Sequence, residues 1–180
     1  MKLTTSAWVS LANGLFMMLL STAHWLGYLS FDMWFSYQWH KLLHLVGLVL
    51  FMGNLMVGPV WFLIAFYSND RTVQLFAVRL LRLTDMWLTA PGMLLTIVNG
   101  LCLASVYGGL QQAPWLSKSI YALWAMWGIS LPLLYLQEKM LHGIESDSEP
   151  KLSLLYLWSL VGTVVMVPAA LIFYWMVVKV

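Results

Sequence analysis

Apolar residues fall along this chain in long runs broken by short polar stretches, and the lengths of the runs predict its elements. A helix needs about 18–20 apolar residues to cross the hydrocarbon core of a bilayer. Five segments reach that length: about Ser6 to Leu29, His40 to Tyr67, Trp87 to Tyr107, Ser117 to Leu136 and Leu152 to Val178. Between the second and third, "SNDRTVQLFAVRLLRLTD" carries Arg71, Arg79 and Arg82, while Val73, Phe76, Leu80 and Leu83 recur at helical spacing. That pattern predicts a short interfacial helix over about residues 70–84. The stretch "QEKMLHGIESDSEPK", from Gln137 onward, is the most polar and is expected to be exposed or disordered. Trp and Tyr crowd the expected span ends (Trp34, Tyr37, Trp39, Trp61, Trp115), as in an aromatic belt.

The fold class that follows is an all-α integral membrane protein, a bundle of five transmembrane helices. Residues 1–37 supply an additional N-terminal span and an outer loop, and residues 38–180 supply a four-helix core. Composition agrees. Of the 180 residues, 62% are hydrophobic and 9% charged, too apolar for a small soluble globule to hide. The lipid bilayer is thus the first partner. A net charge of +2 gives no argument for nucleic acid. The single cysteine, Cys102, lies in an apolar run and says nothing about redox compartment. Lys2 followed by "LFMMLLSTA" has the makings of a signal peptide, yet the segment is also long enough to span and is taken as a retained helix.

Lys and Arg in the loops set orientation. With the N-terminus inside, the inner side holds Lys2, Arg71, Arg79, Arg82, Lys139 and Lys151, against Lys41, Lys118 and Lys179 outside. The bias favours a cytoplasmic N-terminus and a periplasmic C-terminus. His24, His40, His44 and Lys118 then gather at the outer level of three spans, while His142 sits on the inner side.

At about 100° per residue, His40, His44, Gly47, Asn54 and Gly58 share a stripe of about 80°, as do Lys118, Ala122, Ala125, Ile129 and Pro132. Small residues there let helices approach closely or leave room for something flat. An ionisable residue facing a bundle interior is a functional candidate. Imidazole binds haem iron, copper or zinc, and a haem takes its axial ligands from opposite faces. His44 with Lys118, or His44 with His24, would serve, and His40 with His44 could hold one small metal ion. The bland alternatives are an interfacial His40, a snorkelling Lys118, and a His24 that only hydrogen-bonds a neighbour. Asn54 and Asn99 read as interhelical hydrogen-bonding groups, and the 12 methionines as packing. Asp85, three residues after Arg82, suggests a local ion pair; with Arg79 and Arg82 it could instead grip lipid head groups or a haem propionate.

Three stretches carry a resemblance. "WHKLLHLVGLVLFMGNL", "LTAPGMLLTIVNGLCL" and "PWLSKSIYALWAM" resemble the first three core helices of the membrane-bound, oxygen-using protoporphyrinogen oxidases of HemJ type. Copper-resistance CopD membrane domains belong to the same broad group. Bacterial integral membrane proteins of unassigned function share the pattern most closely, including "VRLLRLTDMWLTAPG". The resemblance covers roughly residues 38–142 and implies a four-helix core in a bacterial inner membrane, with His44 and Lys118 as key positions. This chain departs by its extra N-terminal span and by lacking a histidine in the last core helix.

The leading functional expectation is a haem-b-binding membrane redox protein, an oxidoreductase component whose catalytic residues the sequence does not assign. His44 would ligate the iron, with Lys118 or His24 opposite, His40 in support, and Gly47, Ala122 and Ala125 lining the gap. A quinone or a redox partner subunit would exchange electrons with it, or a tetrapyrrole would be oxidised. Copper or other metal handling at His24, His40 and His44 is the alternative. A third reading is a cofactor-free accessory subunit in a homo- or hetero-oligomer. No pair of broken half-helices supports a transporter.

Overall fold

The computed structural model describes residues 4–146 and 152–180, and the described residues are helical except at turns and loops. Helix α1 spans Thr5–Trp25, α2 Tyr37–Tyr67, α3 Arg71–Thr84, α4 Ala90–Ala104, α5 Pro114–Glu145 and α6 Leu152–Val178. A π-helical turn, Asp85–Thr89, joins α3 to α4, and a 3-10 turn, Ser105–Tyr107, ends α4. Five helices are long and apolar enough to cross a membrane, as expected.

The segment read as an interfacial helix is helical, but it does not stop. It runs through the π turn into the third span as one rod from Arg71 to Tyr107. Asp70 caps its start, its carboxylate accepting from the Thr72 and Val73 amides at 2.8 and 3.3 Å. The expected loop from Gln137 is also largely helix. Helix α5 continues to Glu145 because Leu136, Met140, Leu141 and Ile144 bury against α2, α3 and α6. Its 32 residues make a rod of about 48 Å, longer than the bilayer's apolar core of about 30 Å. The rest of that stretch, residues 147–151, lies outside the described residues, as does Lys2.

Packing divides the bundle by depth. Helix α2 packs chiefly on α4, and α5 on α6, with α1 and α3 bridging the two pairs. Gly47 and Gly92 bring α2 and α4 backbone to backbone. A Cβ on Gly47 would stand 2.6 Å from the Gly92 carbonyl oxygen, and one on Gly92 would stand 2.7 Å from the Phe51 nitrogen. At the arginine-rich end, Phe62, Phe66, Val78, Leu81, Ile144, Leu155 and Trp158 form a core. At the other end, Met17, Ile97, Leu101, Leu116 and Ile120 form a second, and mid-bundle Met52, Met126, Val165 and Ala169 a third. The outer faces carry Leu, Val, Trp and Tyr, as a lipid-facing surface does.

Candidate functional site

Between the first and third of these cores lies a cavity of about 440 Å³. All six helices and the π turn wall it, and Leu, Met, Trp and Phe side chains supply much of its apolar surface. Trp158, its ring 4.7 Å from that of Phe62, lines it toward the first core, and Met52 packs with Val165 in the third. Met56 on α2 is 59% exposed and Thr163 on α6 is exposed, yet both line the cavity, so it opens on the flank between these helices. Gly162 stands beside that mouth, where an added Cβ would meet no atom within 4 Å.

One band of the wall is polar. The π turn inserts an extra residue into the rod, and the Ala90 amide bonds back to the Asp85 carbonyl five residues earlier. Asp85 and Thr89 both face the cavity. Asn54 reaches across from α2, donating Nδ2–H to Asp85 Oδ1 at 3.0 Å and to Thr89 Oγ1 at 2.8 Å, and Thr89 donates to Asp85 at 3.2 Å. Asn13 adds an amide from α1, tied to the Ala90 carbonyl at 3.2 Å, and Gln137 another from α5. Trp158, only 4% exposed, lines the same cavity, and its Nε1–H has no hydrogen-bond partner among the described residues. A buried donor left unpaired is costly, so it marks a place where an acceptor is wanted.

Asp85 is not paired with Arg82, contrary to the local ion pair the spacing suggests. Arg82 turns away, and its Nη2 meets Glu138 Oε1 at 2.9 Å, with side chains 11% and 2% exposed. Ser6 accepts from Arg82 Nε at 3.1 Å, and Thr4 donates to Glu138 Oε1 at 2.6 Å. Arg79 instead bridges to Glu145 at 3.1 Å on the surface, where such pairs contribute little.

The histidines divide in their roles. His40 is fully buried within the protein. Its Nδ1–H donates to Asn99 Oδ1 at 2.8 Å, since Asn99 spends its amide on the Leu95 carbonyl. Its Nε2 accepts from the Trp34 and Phe35 amides at 3.1 and 3.2 Å, so both ring nitrogens are occupied. His44 donates Nδ1–H to the Thr96 carbonyl at 2.7 Å and keeps Nε2 free of hydrogen bonds to the described residues, with Gly100 against its ring. A backbone carbonyl on one nitrogen orients an imidazole for ligation through the other. His24 bonds the Leu29 carbonyl at 2.8 Å, and its buried Nε2 has no partner among the described residues. The three do not form one cluster; among the described residues no group of three His, Cys, Asp or Glu side chains is placed to hold a metal ion.

Two of the residues expected to bind a cofactor lie on the outside of α5. Lys118 and Ala125 are exposed, because the inward face of α5 runs through Ser119, Met126 and Gln137, about 100° around the helix from Lys118. Ala122 is buried at the edge of that face, and Gly47 is filled by Gly92 and Thr96, leaving no slot for a flat group there. The α2 stripe does face inward, with His40, Gly47, Asn54 and Gly58 buried. Sequence reasoning missed Asn13, Thr89, Gln137, Glu138 and Trp158 as site residues. For the α5 pair a signal existed: Leu136, Met140 and Ile144 continue a four-residue repeat beyond the apolar run.

No curated protein and no solved structure matches this chain. Residues 38–180, which hold all of the four-helix core and every cavity residue except those of α1, match the family DUF2269, described as a predicted integral membrane protein. The chain is a multi-pass protein of the lipid bilayer and belongs to the DUF2269 family.

Proposed function

We propose that the cavity binds a lipid-soluble molecule with a flat, acceptor-bearing head group, of the quinone class, and that the chain is a quinone-linked redox protein of a bacterial inner membrane. One observation carries this reading: a flank-opening, mainly apolar cavity brings together the side-chain amides of Asn13, Asn54 and Gln137 with Asp85 and Thr89, and the unpaired Trp158 N–H is among its walls. Its volume is in the usual range for small-molecule sites of about 300–1,000 Å³. The apolar walls would hold the ring, and Trp158 and the side-chain amides would donate to its carbonyl oxygens. Asp85 would exchange a proton with a bound oxygen, held in place by Asn54 and Thr89. The arginine-rich end would face the cytoplasm, following the bias of positive charge.

The test is quenching of tryptophan fluorescence by a short-tailed quinone analogue in lipid nanodiscs. Saturable quenching is expected, weakened about tenfold or more by Gly162→Leu, which fills the mouth, since a tenfold change corresponds to about 1.4 kcal/mol of lost binding. Equal, non-saturating quenching of both proteins would mean simple partition into lipid and would end the proposal.

A second reading, haem b on His44, is favoured by the oriented Nδ1–H and the free Nε2 of that residue. His24 also keeps a buried Nε2 without a partner among the described residues, whereas Lys118 is exposed. Bound haem would supply one-electron transfer. A reduced-minus-oxidised optical spectrum that loses its b-type band in His44→Ala supports this reading, and an unchanged band in that variant removes it.

A further inference from the structure

Beside the polar band, on the side away from the cavity mouth, lies a second and far smaller void of about 10 Å³. Ser6, Ala7 and Ser10 of α1, Arg82 and Asp85 of the rod, and Leu134, Gln137 and Glu138 of α5 line it. Ser10, Asp85, Leu134 and Gln137 line both spaces, so this void lies between the cavity's carboxyl and the buried ion pair. Glu138 is 1% exposed. Its Oε1 takes the bonds from Arg82 and Thr4, while Oε2 is buried with no partner among the described residues. Ser10 also faces the void, and its hydroxyl makes no hydrogen bond to the described residues.

A space of about 10–15 Å³ holds one water when two or more polar groups surround it. This one has a carboxylate oxygen that lacks a donor, a free hydroxyl and a second carboxyl. We infer that the void holds a single water joining Asp85 to Glu138 Oε2, and that this string carries protons between the cavity and the arginine-rich end of the bundle. The inference rests on the cavity's being a site of proton chemistry, as proposed for it.

The step balances simply. With one proton shared by the two carboxyls, the water gives a proton to the Asp85 carboxylate as it takes one from Glu138 Oε2, leaving Glu138 ionised beside Arg82; the reverse step returns it, so one proton moves and no electron or other atom does. Arg82 and Thr4 stay bonded to Glu138 Oε1 throughout, leaving Oε2 to take and release the proton. Thr4, at the beginning of α1, and Arg82 hold Glu138 from the arginine-rich end. The groups facing the void from all three elements are those named; Arg82, Asp85 and Glu138 are the ionisable ones.

Hydrogen–deuterium exchange of the Asp85 carboxyl, followed by infrared spectroscopy on the full chain in nanodiscs without added quinone, tests this directly. The Asp85 carbonyl band is assigned by its loss in Asp85→Asn and recorded at a pH acid enough to populate it. Exchange is expected to be fast in the parent protein and slowed about tenfold in Ser10→Val, which fills the void, the scale of one lost hydrogen bond on the path. Glu138→Gln should slow it likewise; Ser10→Val leaves the Arg82 ion pair intact, so the result does not depend on how that harsher variant folds. Exchange at the parent rate in Ser10→Val overturns the inference. Because no ligand is present, that outcome is separate from a failure of quinone binding, which the quenching assay reads alone.

Discussion

His40 works as a clamp. Its ring ties the loop before α2, through the Trp34 and Phe35 amides, to Asn99 on α4, with the Trp34 and Phe35 rings 6.4 and 5.6 Å away. His40→Ala strands those amides and the Asn99 oxygen, and should cost about 1–3 kcal/mol in denaturant unfolding. Asn99→Leu should cost a similar amount, and the double variant less than the sum; full additivity would show that the two do not act together. The buried Arg82–Glu138 pair behaves differently. Removing one partner by Arg82→Met leaves an uncompensated buried charge and should cost about 3–5 kcal/mol, much of it recovered when Glu138→Leu is added. Thermal melts of the three variants decide this, and a double variant worse than Arg82→Met would contradict it. At this scale the sequence was legible only in part. Spacing correctly put His40, His44 and Asn54 on one inward face, but it could not tell a histidine with both nitrogens occupied from one with a free lone pair. That difference depends on loop amides arriving from residues 34 and 35, and on a carbonyl from α4.

At the level of helices, apolar run length located every span, because a bilayer imposes the same minimum on each. What it could not give was where a helix stops once it leaves the apolar core. Helix α5 runs on to Glu145 and α3 joins α4, since side chains at the arginine-rich end bury one another there. Nor could it give rotation: Lys118, Ala122 and Ala125 share a stripe, yet the packed face lies elsewhere, because Ser119, Met126 and Gln137 meet the other helices. The α2–α4 contact offers a clean test. Gly47→Ala would drive a methyl into the Gly92 carbonyl and the Thr96 amide, costing about 1–3 kcal/mol as overpacking does. Gly53→Ala, on the same helix with nothing within 4 Å, should instead be neutral or stabilising by about 0.5–1 kcal/mol. Denaturation midpoints of the two variants, measured side by side, check the contrast, and equal shifts would refute close backbone packing as the reason for Gly47.

For the molecule as a whole, two helix pairs, α2 with α4 and α5 with α6, meet along a seam that is tight at its ends and open in the middle. The polar band sits in the open part, fed by residues scattered from Asn13 to Gln137, which no local motif could have assembled on paper. Composition foretold the membrane, and only the fold brought Asp85 and Gln137 to one wall. The flank mouth between Met56 and Thr163 has a consequence for dosage. A molecule that arrives through it is drawn from a two-dimensional solvent, so mass action runs on its mole fraction in the lipid and not on its concentration in water. Diluting proteoliposomes into buffer should leave the cavity's occupancy unchanged. Fusing them with empty vesicles should lower it in proportion to the lipid added.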